Sequence, residues 1–148
     1  MTEARVVRAL RQIGPQLLVW AAMSMVVGAV LMGFGTPFWQ AFGVQAFAWG
    51  AIDAAIAGFG MRDNRRKRTA LGLAAPAWHA EVVKVRRILL LNVWLDVGYV
   101  TVGVLLMLFN ASEVRLGHGF GVLVQGGFLL VFDAWHHRRL RPFIRASV

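Results

Sequence analysis

Residues 88–110 read ILLLNVWLDVGYVTVGVLLMLFN, and this stretch decides the fold. Its 23 residues hold one charged side chain, Asp96, and no proline. At about 1.5 Å rise per residue it exceeds the roughly 30 Å hydrocarbon core of a bilayer. A buried helix of a soluble domain rarely needs such a length of unbroken apolar sequence. Three more runs of the same kind lie around it: residues 16–35, 41–60 and 118–137. The chain of 148 residues is 58% hydrophobic with a mean hydropathy of +0.60, outside the range of an ordinary soluble domain. The expected fold is all-α: an integral membrane four-helix bundle spanning 16–35, 41–60, 88–110 and 118–137.

Charge orients the bundle. Arg5, Arg8 and Arg11 precede the first span, a dense basic set lies at 61–87, and Arg138, Arg139, Arg141 and Arg145 follow the fourth span. Of the 16 lysines and arginines, Arg115 alone falls on the other side. The positive-inside rule then places both termini and the 61–87 loop in the cytoplasm. The same balance of charge argues for anionic lipid rather than nucleic acid as the partner. Arg62, Arg65, Arg66, Lys67 and Arg68 form the expected lipid-headgroup patch. Basic residues before an apolar run can also mark a secretory signal, but this run is long and lacks a small-x-small cleavage site, so it reads as a retained span.

Residues 1–13 read as an interfacial amphipathic helix, with Val6, Leu10 and Ile13 on one face and Arg5, Arg8 and Gln12 on the other. Gly14-Pro15 is expected to break it before the first span. In the basic loop the first half reads as polar and irregular. Pro76 is expected to start a helix that feeds into the third span.

Two matches suggest an internal repeat. VGAVLMGFG (27–35) and VGVLLMLFN (102–110) share V-G-x-x-L-M-x-F. VQAFAWGAIDA (44–54) and VQGGFLLVFDA (124–134) share V-Q, seven residues, then D-A. Their order predicts two duplicated transmembrane hairpins, parallel to one another. Ala46, Gly50, Ala54 and Gly58 form a small-residue stripe on the second span, read as an internal seam with a dimer face as the rival.

The polar residues inside the spans carry the functional reading. An ionised side chain near mid-membrane costs about 2.5–3.5 kcal/mol on insertion scales. Asp53, Asp96 and Asp133 must therefore find partners, face water or hold protons. Counting from the span ends puts all three, with Asn92, in the cytoplasmic half, and Gln45 and Gln125 in the outer half. Helical spacing aligns Asn92, Asp96 and Tyr99, and sets His136 one turn beyond Asp133. The expectation is a cytoplasm-facing pocket of Asp53, Asn92, Asp96, Tyr99, Asp133 and His136 that binds or conducts a cation, a proton or a small polar ligand. The bland counterpart is polar glue between helices, worth about 0.6 kcal/mol per contact on average.

Other chemistries are weaker. Asp133-x-x-His136 is a minimal metal pair that Asp53 and Asp96 could complete, and short pairs of this kind arise often by chance. The chain has no cysteine, which removes thiolate nucleophiles and Cys-based metal sites. No nucleophile–base order or phosphate loop stands in a usable context, so enzyme activity ranks below binding. The alternative class is a structural or accessory subunit of a larger membrane complex, or a homo-oligomer. A lipid-directed enzyme using Asp133 and His136 as acid and base ranks third. The cofactor is left unknown by the sequence.

At LNVWLDVGYV (91–100) and GHGFGVLVQGGFLLVFDAWHH (117–137) the sequence resembles an uncharacterised bacterial family of short four-span membrane proteins. The resemblance covers most of the chain from the first span onward. It implies a bacterial inner membrane location and carries over no activity and no site residue.

The absence of cysteine makes the topology testable. Single variants Arg66→Cys and Glu113→Cys, in membranes of known orientation, are expected to react with an impermeant maleimide from opposite faces. Labelling of both from one face overturns the four-span arrangement.

Overall fold

In the computed structural model four long helices and a short fifth follow one another. They are α1 (Glu3–Phe34), α2 (Pro37–Leu71), α3 (Ala75–Leu108), α4 (Glu113–Arg139) and α5 (Arg141–Arg145). The structure describes residues 3–71, 75–109 and 112–145, with the side chains of residues 3, 4, 68–71, 75–77 and 145 excepted. Arg68 of the basic patch is thus outside the described side chains. Each of α1 to α4 is long and apolar enough to cross a membrane. α1 pairs with α2 and α3 with α4, and the two hairpins join mainly along α2 and α4.

Both hairpins close on glycine. A Cβ at Gly28 would lie 2.6 Å from Phe47 N and 2.7 Å from Gly43 O. A Cβ at Gly103 would lie 2.8 Å from Leu123 N and 3.0 Å from Gly119 O. Only hydrogen fits, so the backbones meet directly. The seam between hairpins repeats the device from α4: a Cβ at Gly121 would sit 2.6 Å from Gln45 Cβ, and one at Gly117 would collide with the Phe38 carbonyl.

Two sequence expectations differ from the structure. First, α1 does not break at Gly14-Pro15; it runs through Pro15 without interruption. Proline in a helix interior costs about 3 kcal/mol. Packing on both sides offsets it. Ala9 and Leu10 are buried with Trp78, Val82, Leu89 and Leu140, and burying one leucine alone contributes roughly 1.5–3 kcal/mol. Gly14 meanwhile lets Met61 of α2 press close. Residues 5–13 therefore pack their apolar face on protein rather than lying alone at an interface. Second, the basic segment after Gly60 is helical to Leu71. Arginine and lysine are good helix formers, and Lys67 pairs with Asp63 one turn back and with Glu81 on α3. The long α1 and α3 thus extend beyond the apolar runs and, with Leu140 at the end of α4, make a second core at the basic end. α4 begins at an N-cap, Ser112, whose hydroxyl accepts from Arg115 N, and ends with Arg138 and Arg139 in its last turn, where cations complement the helix dipole.

The small-residue stripe on α2 divides. Gly50 packs on Ala21 and Met25, whereas Gly58 faces open space. The internal seam uses Gly28, Gly43 and Gly50 instead of the whole stripe.

Replacing Gly103 with leucine is expected to lower stability by about 1–3 kcal/mol or more by overpacking, seen as a lower thermal midpoint in detergent. Gly58→Leu is expected to leave it within about 0.5 kcal/mol. Equal effects would show that the hairpin does not close on Gly103.

Candidate functional site

The three acids of the apolar runs are all buried inside the bundle. Asp53 of α2, Asp96 of α3 and Asp133 of α4 are 2%, 3% and 6% exposed. Asp133 is hydrogen-bonded to the Asn92 amide and to the Asp96 carboxyl. Asp53 lies within electrostatic reach of both other acids. A hydrogen bond between two carboxyl groups needs a proton on one of them, because an ionised carboxylate only accepts. One oxygen of Asp53 and one of Asp96, Oδ2 in each, are buried with no hydrogen-bond partner. Buried acceptors are ordinarily satisfied. Simple glue would use its acceptors up; this cluster keeps two in reserve.

The expected hexad assembles only in part. Asn92 joins the acids. Tyr99 does not: it is 37% exposed and sets its ring edge on Trp49, centroids 4.7 Å apart. His136 is fully buried but turns to α1, its Nε2 donating to Gln16 Oε1 at 3.0 Å, with Phe132 and Trp135 at its ring edges. Among the described residues no three His, Asp or Glu side chains converge closely enough to hold a metal ion. His137 Nδ1 meets the Arg86 carbonyl at 3.0 Å.

The two glutamines serve separate contacts. Gln45 Nε2 reaches His118 Nδ1 at 3.0 Å, joining α2 to α4. Gln125 is buried, accepts from Trp20 Nε1 at 3.0 Å and donates to Ser24 Oγ at 3.3 Å. Trp20 also stacks on Phe128 at 3.7 Å. Gln16 and Ser24 were not singled out in the sequence. The signal was present: each is a hydrogen-bonding side chain within an apolar run.

A cavity of about 240 Å³ reaches this cluster. It ends on Asn92 and Asp133, and its walls are apolar, with Leu10, Leu17, Val85 and Phe132 among them. At the basic end its rim holds Asp63, Asn64 and Lys67 of α2 and Glu81 and Lys84 of α3. Lys67 donates to both Asp63 and Glu81. That hydrogen bond holds the Asp63 carboxyl below the usual carboxylate range. Burial pulls the Lys67 ammonium down, but its two carboxylate partners outweigh this and raise it. The rim pair is therefore charged at neutral pH. None of these rim and wall residues except Leu10 and Lys67 stood out in the sequence.

Asp53 and Asp133 are not equivalent in depth. With Gly28 matched to Gly103, the contacts pair Gly43 with Gly119, since each meets the matching leucine, Leu31 or Leu106, and the matching methionine, Met32 or Met107. The V-Q/D-A repeat pairs Gly43 with Leu123 instead, four residues or one turn away. In the packing, Asp133 therefore matches Ala57 in level, and these two both line the cavity. Asp53 sits about one turn deeper.

The chain matches the family of unknown function DUF6992 over residues 16–134 and belongs to it. No curated protein and no solved structure matches the chain.

The Trp20–Gln125–Ser24 chain ties α1 to α4. Gln125→Leu is expected to cost about 0.6–1.7 kcal/mol. Trp20→Phe added to it should cost little more, because both remove the same bond. Additive losses in thermal denaturation would mean that the bond is not energetically significant.

Proposed function

We propose that this member of a family of unknown function is a four-span membrane protein that binds a proton or cation at Asp53, Asp96 and Asp133. Its basic end would face the cytoplasm, with anionic lipid at the arginines around it. One observation carries the reading: a cavity leads from a charged rim to a buried carboxyl cluster that retains unpartnered acceptor atoms. Burying three acids in a bundle of this size is costly. Interhelical adhesion is available more cheaply from residues such as Gln125 and Trp20. The cost makes sense where the acids exchange protons or cations with water.

The matching glycine crossings, Gly28 on Gly43 and Gly103 on Gly119, support an origin by duplication of one hairpin. The one-turn offset between contact register and sequence repeat would then be a divergence after duplication. It gives the two hairpins different tasks: Asp133 at the cavity, Asp53 behind it.

Purified protein in liposomes loaded with a pH-sensitive dye tests this. Asp133→Asn and Asp96→Asn are expected to reduce cation-dependent proton movement about tenfold or more, and Asp53→Asn to reduce it less. Folding is checked by circular dichroism and thermal midpoint. Folded variants that match the parent would reduce the cluster to interhelical glue.

A further inference from the structure

The shape and lining of the cavity say more about what enters than the carboxyls alone. Its volume, about 240 Å³, exceeds the roughly 150 Å³ that holds benzene in a dry protein cavity. It falls below the roughly 300–1,000 Å³ of pockets for drug-sized ligands. A bare proton needs no such space. An alkali cation gains nothing from walls of leucine, valine and phenylalanine and loses its hydration to reach them. An anion meets carboxyls at the far end. A neutral apolar molecule fills the volume but leaves Asn92 and Asp133 without solvent. A molecule with one ammonium end and a small apolar body satisfies walls and end together.

We infer that the ligand of this cavity is a small lipophilic amine, bound as its ammonium form with the charged end on Asp133 and Asn92 and the apolar body between Leu17, Val85 and Phe132. This rests on the reading of the carboxyl cluster as a working site. The rim is compatible with cation passage, since Asp63 and Glu81 offset Lys67 and Lys84. A primary ammonium brings three donors. Asp133 accepts one and the Asn92 carbonyl can take another. Behind the lining, Asp53 Oδ2 and Asp96 Oδ2 are unpartnered acceptors on side chains more than nine-tenths buried, and both acids lie within electrostatic reach of Asp133.

The carboxyl–carboxyl hydrogen bond adds a consequence. The proton that joins Asp133 to Asp96 serves only while no other cation is present. An arriving ammonium supplies the positive charge in its place, so one ammonium enters and one proton leaves to water. Charge in the cluster is conserved, and no other reactant is needed. The site would thereby couple amine binding to proton release.

Full-length protein in nanodiscs, titrated at neutral pH in weak buffer, tests this. The probes are phenethylamine, phenethyl alcohol, which has the body without the charge, ethylamine, which has the charge without the body, and sodium. Phenethylamine is expected to bind about tenfold or more tighter than the other three and to release close to one proton per amine bound. Asp133→Asn should abolish the release, and Val85→Ser should weaken phenethylamine without changing ethylamine. Should Asp133→Asn fail to fold, the probe series on the parent and Val85→Ser decide. If phenethylamine binds no better than ethylamine or sodium, while proton movement still depends on Asp96, the amine inference falls and the carboxyl site stands. If no probe binds and no proton movement depends on the acids, both fall.

Discussion

Three carboxyl groups held in the interior of an apolar bundle set the terms for everything around them. Each must be taken out of water, and each can be kept there only with a proton, a donor or a cation beside it. Asn92 donates to Asp133, Asp133 and Asp96 share a hydrogen bond, and Asp53 stands within their field. These acids come from α2, α3 and α4, so the cluster exists only if the two hairpins dock. The docking in turn needs backbones that come very close, which is what Gly117 and Gly121 on α4 allow against Phe38 and Gln45 on α2. A side chain at either glycine would push α4 from α2 and separate Asp133 from Asp53.

Above and below this level the polar contacts are of a different kind. Gln125 with Trp20 and Ser24, and Gln45 with His118, are hydrogen-bonded contacts that hold helices together. His136 with Gln16 does the same toward the basic end. The carboxyl cluster differs in having acceptors left over and a cavity leading to it. That contrast, within one small bundle, sets the cluster apart from the adhesive contacts more clearly than the identity of any one residue. The helical extensions at the basic end complete the arrangement. α1 passes through Pro15 and α2 through the arginine-rich segment because both are packed or paired there, and so Lys67 and Glu81 come to stand at the cavity rim.

Much of the carboxyl cluster was legible along the chain. Asp53, Asn92, Asp96 and Asp133 are conspicuous because ionisable or amide side chains in apolar runs are expensive, and counting turns brings them to similar levels. Tyr99 and His136 shared the right spacing and yet went elsewhere. Helical spacing defines a stripe roughly a third of a turn wide, and a stripe does not say which neighbour a side chain will meet. Tyr99 met Trp49 and His136 met Gln16. The rim was hidden because Asp63, Lys67, Glu81 and Lys84 look like any solvated charge run until two helices are set side by side.

By itself, the amino-acid order determined four long apolar helices, the polarity of charge between their ends, and the presence of acids within them. These depend on composition and on local periodicity, which need no partner. Only the tertiary structure decided that Pro15 would be bridged, that α2 would remain helical through its arginines, and that Asp133 would sit a turn nearer the basic end than Asp53 in the contact register. Each of these depends on what a neighbouring helix offers: Trp78 and Val82 for Leu10, Glu81 for Lys67, and the paired glycines that set how far one helix slides along another. Local sequence states what a helix can tolerate, and the packed neighbour supplies the energy that selects among those states.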